Sequence, residues 1–192
     1  MLKVLIAYAV NGERISVDVP GWEVRYVRTG IGKAKAAMRL TDAIHEQRPD
    51  VVINEGTAAT ANHGVGEVFI CRHFIDRDFE KIQIAGLDYE QDSCDLLTES
   101  HLFEDWTPEG VCNTGDSFLT EEVDSEGDVY DMEAYAEALV CNEKKIPFIS
   151  VKCVTDVIGQ NSVDDWNAKI TEANIIVSNF FQSIDANNNL MP

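Results

Sequence analysis

Basic residues are scarce: Lys and Arg number 15 against 34 Asp and Glu, a formal net charge of −19 over 192 residues. Nucleic-acid backbones and anionic lipid are bound through Lys and Arg, so neither is expected as a partner. No two cysteines form a CxxC pair; Cys71, Cys94, Cys112, Cys141 and Cys153 stand apart. An odd, scattered set argues against a disulfide framework and a thiolate zinc site, and reads as free thiols in a reducing, cytoplasmic setting. The histidines, His45, His63, His73 and His101, are equally isolated, and no metal is expected. No run approaches the ~20 apolar residues of a membrane span. Met1 to Val10 is apolar, but it passes straight into Asn11-Gly12-Glu13-Arg14 without a small-residue cleavage pattern. It therefore reads as a buried first strand rather than a leader.

What is present is a globular composition, 45% hydrophobic and 26% charged. A chain of this length can bury about 70% of its unfolded surface in one domain. The single domain is expected to span residues 1–186, with 187–192 as a frayed tail. The apolar runs are short and unalternating: Val4 to Ala9, Val24 to Arg28, Val51 to Asn54, Val68 to Cys71 and Phe148 to Val154. Such runs fit strands covered on both faces. Between them fall stripes of helical period. One comprises Ala36, Ala37, Leu40, Ala43 and Ile44; a second, Met132, Tyr135, Ala136, Leu139 and Val140. The third runs through Trp166, Ile170, Ala173, Val177, Phe180, Phe181 and Ile184, with Ser162 as its N-cap. Strands alternating with helices predict a layered α/β domain. The acid-rich stretch from Asp88 to Gly110 has no clean period, and reads as a solvated surface loop or a partner-contacting lid.

Five segments have the residue types that carry chemistry. Thr29-Gly30-Ile31-Gly32-Lys33-Ala34 places two glycines at a strand-to-helix turn, where backbone approaches closely and anions or polar groups are favoured. It is neither a dinucleotide fingerprint, since Lys35 holds the third small position, nor a phosphate loop, since no GK[ST] follows. Asn54-Glu55-Gly56-Thr57-Ala58-Ala59 lies at the carboxyl end of a strand, where open α/β sheets place ligands. Thr114-Gly115-Asp116-Ser117-Phe118-Leu119 is a turn of low specificity. Asp131-Met132-Glu133-Ala134 opens a helix whose dipole favours carboxylates. Thr155-Asp156 ends the most apolar strand, where an Asp is costly unless paired, hydrogen-bonded or protonated.

Taken in order, these segments resemble the purine nucleoside phosphorylase and nucleosidase superfamily, and within it the methylthioadenosine/S-adenosylhomocysteine nucleosidase branch. The resemblance covers nearly the whole chain: Thr-Gly-Ile-Gly-Lys at 29–33, Ile-Asn-x-Gly-Thr-Ala at 53–58, Gly-Asp-Ser-Phe at 115–118, Met-Glu-Ala at 132–134, and Pro147 to Asp156. It implies a three-layer α/β/α phosphorylase/hydrolase-like fold with a central mixed sheet that curls toward a barrel. It implies a purine nucleoside as small-molecule substrate, no cofactor, and a homo-oligomer in which Ile75 to Leu87 or the Asp88 to Gly110 stretch closes a neighbour's sugar end. By the same resemblance Asp156 protonates the purine at N7, Glu133 grips the ribose hydroxyls and Met132 packs under the sugar. Phe118 stacks on the base, the Leu119 backbone reads its edge, Thr57 and Ala58 contact substrate, and Glu13 activates water. Ala59 and Thr60 replace glycines of the family pattern, and their added Cβ atoms are expected to crowd the sugar or the water.

The implied chemistry suits these residue types. A neutral purine leaves more readily than its anion, and a carboxylic acid at N7 supplies the proton. An ordinary Asp, with a pKa of ~3.9, is protonated in only about one molecule in a thousand at pH 7. The role therefore requires burial to raise it, while Glu133 is expected to stay ionised. Phosphorylases of the superfamily hold phosphate with arginines, one just before the Gly-Ser/Thr segment. Here Asn54 takes that place and no Arg lies between Arg48 and Arg72, which favours water as nucleophile. Arg25, Arg28, Arg72 and Arg77 keep phosphorolysis open, and a non-catalytic purine-binding module is the third reading.

Overall fold

The computed structural model describes residues 1–187 except 83, 104, 122–124 and 161. Among them are eight strands, β1 (Leu2–Tyr8), β2 (Trp22–Arg28), β3 (Val51–Thr60), β4 (Val68–Asp76), β5 (Glu90–Asp92), β6 (Glu109–Thr114), β7 (Val129–Asp131) and β8 (Phe148–Val157). The helices are α1 (Lys33–Glu46), α2 (Arg77–Glu80), α3 (Cys94–Ser100), α4 (Ala134–Lys144) and α5 (Ser162–Asn187). The five apolar runs are the cores of β1, β2, β3, β4 and β8. The tail read as frayed, 187–192, lies almost wholly outside the described residues, as does the side chain of Ser162.

All eight strands share one mixed sheet. β3 lies parallel to β1 and β8, β8 antiparallel to β4, and β4 parallel to β6. β7 pairs with β6 and returns to β3 at Tyr130–Ala59. The path β3–β8–β4–β6–β7–β3 thus closes on itself, and the expected curl completes a ring. β3 and β8 are buried almost throughout because helices cover both faces. On one side Leu40, Ala43 and Ile44 of α1 and Ala134, Ala138 and Cys141 of α4 pack on Leu5, Val52, Phe74 and Phe148. On the other, Ala173, Val177 and Phe181 of α5 cover Val4, Ile6, Ile53 and Ile149.

Two expectations change. The second stripe is rotated: α4 starts at Ala134, Met132 precedes it, and Leu139 is exposed while Ala138 and Cys141 are buried. The start of α4 is packed on several sides, so its small residues bury whatever the period of the large ones. The Asp88 to Gly110 stretch is neither a solvated loop nor a lid. Leu97, Phe103 and Trp106 enter the core, where Trp106 meets Trp22, Phe180 and Phe181. Arg72 donates to the Phe103 and Trp106 carbonyls at 2.7 and 3.1 Å, and so replaces a regular ladder.

Between β1 and β2, residues 13–20 form an extended strap outside the sheet. Glu13, Ile15, Val17 and Val19 are buried and the intervening residues exposed, the period of two of an extended chain. Side chains take its amides: Ile15 donates to Glu55 Oε1 at 3.3 Å and Val17 to the Tyr26 hydroxyl at 2.8 Å.

Phe103 is fully buried, so Phe103→Ala is expected to lower the unfolding free energy by about 3–5 kcal/mol. Urea denaturation measures it; a loss below about 1 kcal/mol, the level of a surface substitution, would place this segment outside the core.

Candidate active site

The carboxyl ends of the parallel strands β1, β3 and β8 meet the β7–α4 junction around a cavity of about 190 Å³. Its lining includes Glu13, Thr57, Ala58, Phe118, Leu119, Met132, Glu133 and Asp156. All eight residues singled out in the sequence therefore share one cavity. Ala9, Val10, Ile31, Ala59, Arg77, Ser117, Tyr130, Asp131 and Trp166 complete the lining.

The glycine turn has its anion within the chain. Gly30 and Gly32 adopt φ of 81° and 94°, a region that L side chains rarely enter. The Gly32 amide, at the N-terminus of α1, donates to Glu133 Oε1 at 2.9 Å, and the Lys33 amide donates to Asp116 Oδ1 at 2.8 Å. Lys33 Nζ reaches back to Asp76 at 2.7 and 2.9 Å and to Asp78 at 2.7 Å. Asp78 in turn accepts from the Asp116 amide at 3.0 Å. The loop bearing Phe118 is thus tied to the loop that holds Glu133.

Glu133 sits at the N-cap of α4, two residues after Asp131, whose Oδ2 accepts from the Ala134 amide at 2.9 Å and from Lys152 Nζ at 2.9 Å. Burial alone would raise Asp131, but the Lys152 charge together with hydrogen bonds from Lys152, Thr114 and the Ala134 amide outweighs it and holds the carboxyl below its usual range. Glu133 has no such partner. Burial first, and the Asp131 charge second, push it up to about 8. That direction runs against the expectation of an ionised Glu133.

Glu13 opens the strap and is 5% exposed. Its Oε1 accepts from the Thr57 amide at 3.1 Å and the Thr57 hydroxyl at 2.7 Å, and its Oε2 from the Val10 amide at 3.3 Å. Gly56 leaves room for it, since a Cβ there would stand 3.2 Å from Oε1. The indole N–H of Trp166 donates to Thr57 Oγ1 at 2.8 Å. An indole N–H only donates, so the Thr57 proton points to Glu13. Trp166 was placed in the core stripe of α5; that its indole needs an acceptor was the only sign of this second task. Asp156, 2% exposed, ends β8 beside Ala59 and accepts from the Thr155 hydroxyl at 2.9 Å.

Of the two residues in place of glycines, Ala59 lines the cavity; Thr60 is buried, its hydroxyl donating to the Asp128 carbonyl at 2.8 Å. Asn54 lies outside the lining and accepts from Ser150 Oγ at 2.7 Å. Among the arginines, Arg77 alone reaches the described lining. Its two terminal nitrogens donate to the backbone carbonyls of Asn113, Asp131, Gly115 and Ser117, while its buried Nε has no hydrogen-bond partner among the described residues. Arg72 pairs with Glu109, Arg25 with Glu46, and Arg28 with Asn11. No group of three or more His, Cys, Asp or Glu among the described residues is arranged to hold a metal ion, and no described helix is long and apolar enough to cross a membrane.

Residues 8–185 match the family described as the phosphorylase superfamily. The 5′-methylthioadenosine/S-adenosylhomocysteine nucleosidase of Bacillus subtilis is 36% identical over 168 residues, covering 76% of this chain and 73% of its own. That of Bacillus cereus strain G9842 is 28% identical over 191 residues, covering 85% and 81%. Among solved structures, the Helicobacter pylori 5′-methylthioadenosine/S-adenosylhomocysteine nucleosidase with butyl-thio-DADMe-Immucillin-A superposes at a TM-score of 0.78 and 14% identity, over 98% of this chain and 99% of that one. Futalosine hydrolase of the same organism superposes at 0.79 and 15% identity, over 97% and 98%. At these identities the structures share the fold.

Burial also raises Glu55 to about 8, where Glu13 adds to it, and Glu137 to about 7. With Glu133, three carboxyls lie above their ordinary 4.5. A raised folded-state value contributes stability that is fully present below the unfolded value and is lost as pH climbs through the folded one. The melting temperature is therefore expected to fall between pH 6 and pH 9. Glu137→Gln should lessen the fall and gain on the order of 1 kcal/mol at pH 8.5, roughly 2–4 °C by calorimetry. A melting temperature that rises over this range contradicts the assignment.

Proposed function

Since the chain belongs to the phosphorylase superfamily, we propose that its cavity hydrolyses the N-glycosidic bond of a purine nucleoside of the 5′-methylthioadenosine/S-adenosylhomocysteine kind. The observation that carries this reading is the convergence of Asp156, Glu133 and Glu13 on one cavity in which, among the described residues, a single arginine takes part, with its terminal nitrogens donating to backbone carbonyls. Phe118 stacks on the base, and the Leu119 backbone meets its edge. Met132 packs beneath the sugar, with Thr57 and Ala58 along it. Asp156 hands a proton to N7 as the bond to the anomeric carbon lengthens, so that the purine departs neutral. The ribose hydroxyls donate to Glu133, and positive charge develops on the sugar ring. Both favour the ionised carboxyl and so work against the burial that pushes Glu133 up. Glu13, an acceptor toward Val10 and Thr57, takes a proton from the attacking water. Phosphate would need donors turned into the cavity; the terminal nitrogens of Arg77 already donate to backbone carbonyls, and the surrounding carboxylates repel an anion.

The reading is tested by chromatography on 5′-methylthioadenosine in phosphate-free buffer. Free adenine and free sugar are expected, at a rate that added phosphate leaves unchanged. Asp156→Asn and Glu133→Gln should each lower kcat/KM by about 10²–10⁴, the range of a lost proton donor or charge stabiliser. Product that forms only with phosphate would make the protein a phosphorylase. A thermal shift with adenine and no product under either condition would make it a binder.

A homo-oligomer is part of the same reading. Phe79, Ile82 and Ile84 follow β4 with 42%, 46% and 61% of their surface exposed, and the Lys33 ammonium lies 5.3 Å over the Phe79 ring. This apolar segment, rather than the internally packed Asp88 to Gly110 stretch, is the one available to close a neighbour's sugar end. Light scattering at micromolar concentration should give twice the 21.4 kDa chain mass or more, and a monomer would remove this part of the proposal.

A further inference from the structure

Glu13 stands on no helix or strand; it opens the strap of residues 13–20, and something must hold that strap against β3. The structure contains a reciprocal exchange between the two segments. Glu13 Oε1 accepts from the Thr57 amide at 3.1 Å, while Glu55 Oε1 accepts from the Ile15 amide at 3.3 Å. Residues 55 and 57 project from the same face of β3, as alternate residues of a strand do. Each segment's carboxyl therefore holds the other segment's backbone, across a span of two residues on either side.

Glu55 is 1% exposed, on the face of β3 that also presents Val51 and Ile53 to the α5-side core. A carboxyl in such a place costs more than an apolar side chain unless its hydrogen bonds matter. Neither the proton transfer to the purine nor the grip on the ribose uses it. We propose that Glu55 is a positioning residue for Glu13: by holding the Ile15 amide it keeps the strap down on β3 and the Glu13 carboxylate turned into the cavity. The inference rests on the role given to Glu13 above. Facing Glu55 are Glu13 and Arg14 from the strap and Lys152 from β8, and α5 brings the uncharged Trp166 to the neighbouring Thr57. Burial and the Glu13 charge push Glu55 up to about 8. Above about pH 8 it becomes a second negative charge beside Glu13, which repels both the carboxylate and a forming hydroxide.

The test is steady-state hydrolysis of 5′-methylthioadenosine by the full chain from pH 5.5 to 9.5, with amide hydrogen exchange alongside. Glu55→Leu removes the acceptor, so kcat should fall by about 10–100-fold, the effect of roughly 1 Å of misplacement, with KM within about threefold of wild type. Exchange at the Ile15 amide should speed up in the same variant. Glu55→Gln keeps an acceptor but cannot ionise; it should recover most of kcat at pH 7 and move the alkaline decline of kcat away from pH 8. Wild-type kcat in Glu55→Leu, or a loss confined to KM, overturns the proposal. If Glu55→Leu does not fold, Glu55→Ala, which also removes the acceptor, decides on the same readouts: wild-type kcat and Ile15 protection overturn the inference, and a fall in both supports it. Should the wild-type chain turn over no nucleoside, the functional reading fails by itself. Exchange at Ile15 then still decides the geometry, and protection in Glu55→Leu equal to wild type overturns it.

Discussion

A carboxylate resting on a backbone amide is the interaction on which this site depends. Glu133 holds the Gly32 amide, Asp116 that of Lys33, Asp131 that of Ala134, Glu13 those of Val10 and Thr57, Glu55 that of Ile15, and Asp76 those of Asp78 and Phe79. In a chain of net charge −19 the side-chain cations cannot balance every buried acid. Oriented amides can, because each carries a fixed partial positive charge and requires an acceptor in any case. The bonds to the Gly32, Lys33, Thr57 and Ile15 amides also join segments far apart along the chain, so the same contacts that make burial tolerable set the cavity's shape.

The few cations that are buried are used structurally. Arg77 gathers the carbonyls of β6, β7 and the 115–117 turn, and a Cβ at Gly115 would fall 2.5 Å from its Nε. Lys33 binds the glycine turn to Asp76 and Asp78. Lys152, 2% exposed, neutralises Asp131, and its charge also lowers Glu55, Glu133 and Glu137 against their burial. With its cations committed in this way, the cavity disfavours an anion.

The legible features of the sequence were those carried by local period and spacing. Apolar runs marked β1, β3, β4 and β8, and the stripe from Ala36 to Ile44 marked α1, because burial on one or both faces imposes its own periodicity. The five motifs were legible because each is a turn or strand end whose residues lie within a few positions of one another. Illegible were the contacts made between them. Phe103 and Trp106 look like apolar residues stranded in an acidic loop, yet they close a core whose other aromatics, Trp22 and Phe181, lie far off along the chain. Glu55 lies inside a quoted motif and showed no task, because its partner is a backbone amide of the strap, and an amide leaves no trace in a residue's identity.

By itself, the sequence determined an acidic α/β chain with scattered thiols and the five segments from which a nucleoside site is built, because side-chain volume, polarity and backbone freedom are properties of single residues and short windows. Only the tertiary structure decided that β7 returns to β3 and closes the ring, and that the Gly32 amide takes Glu133 as its anion. It alone decided that burial and neighbouring charges push Glu133, Glu55 and Glu137 above the ordinary carboxyl range. Those outcomes depend on which charges and dipoles come within a few ångströms of each other once water has left, and that is a property of the packed chain.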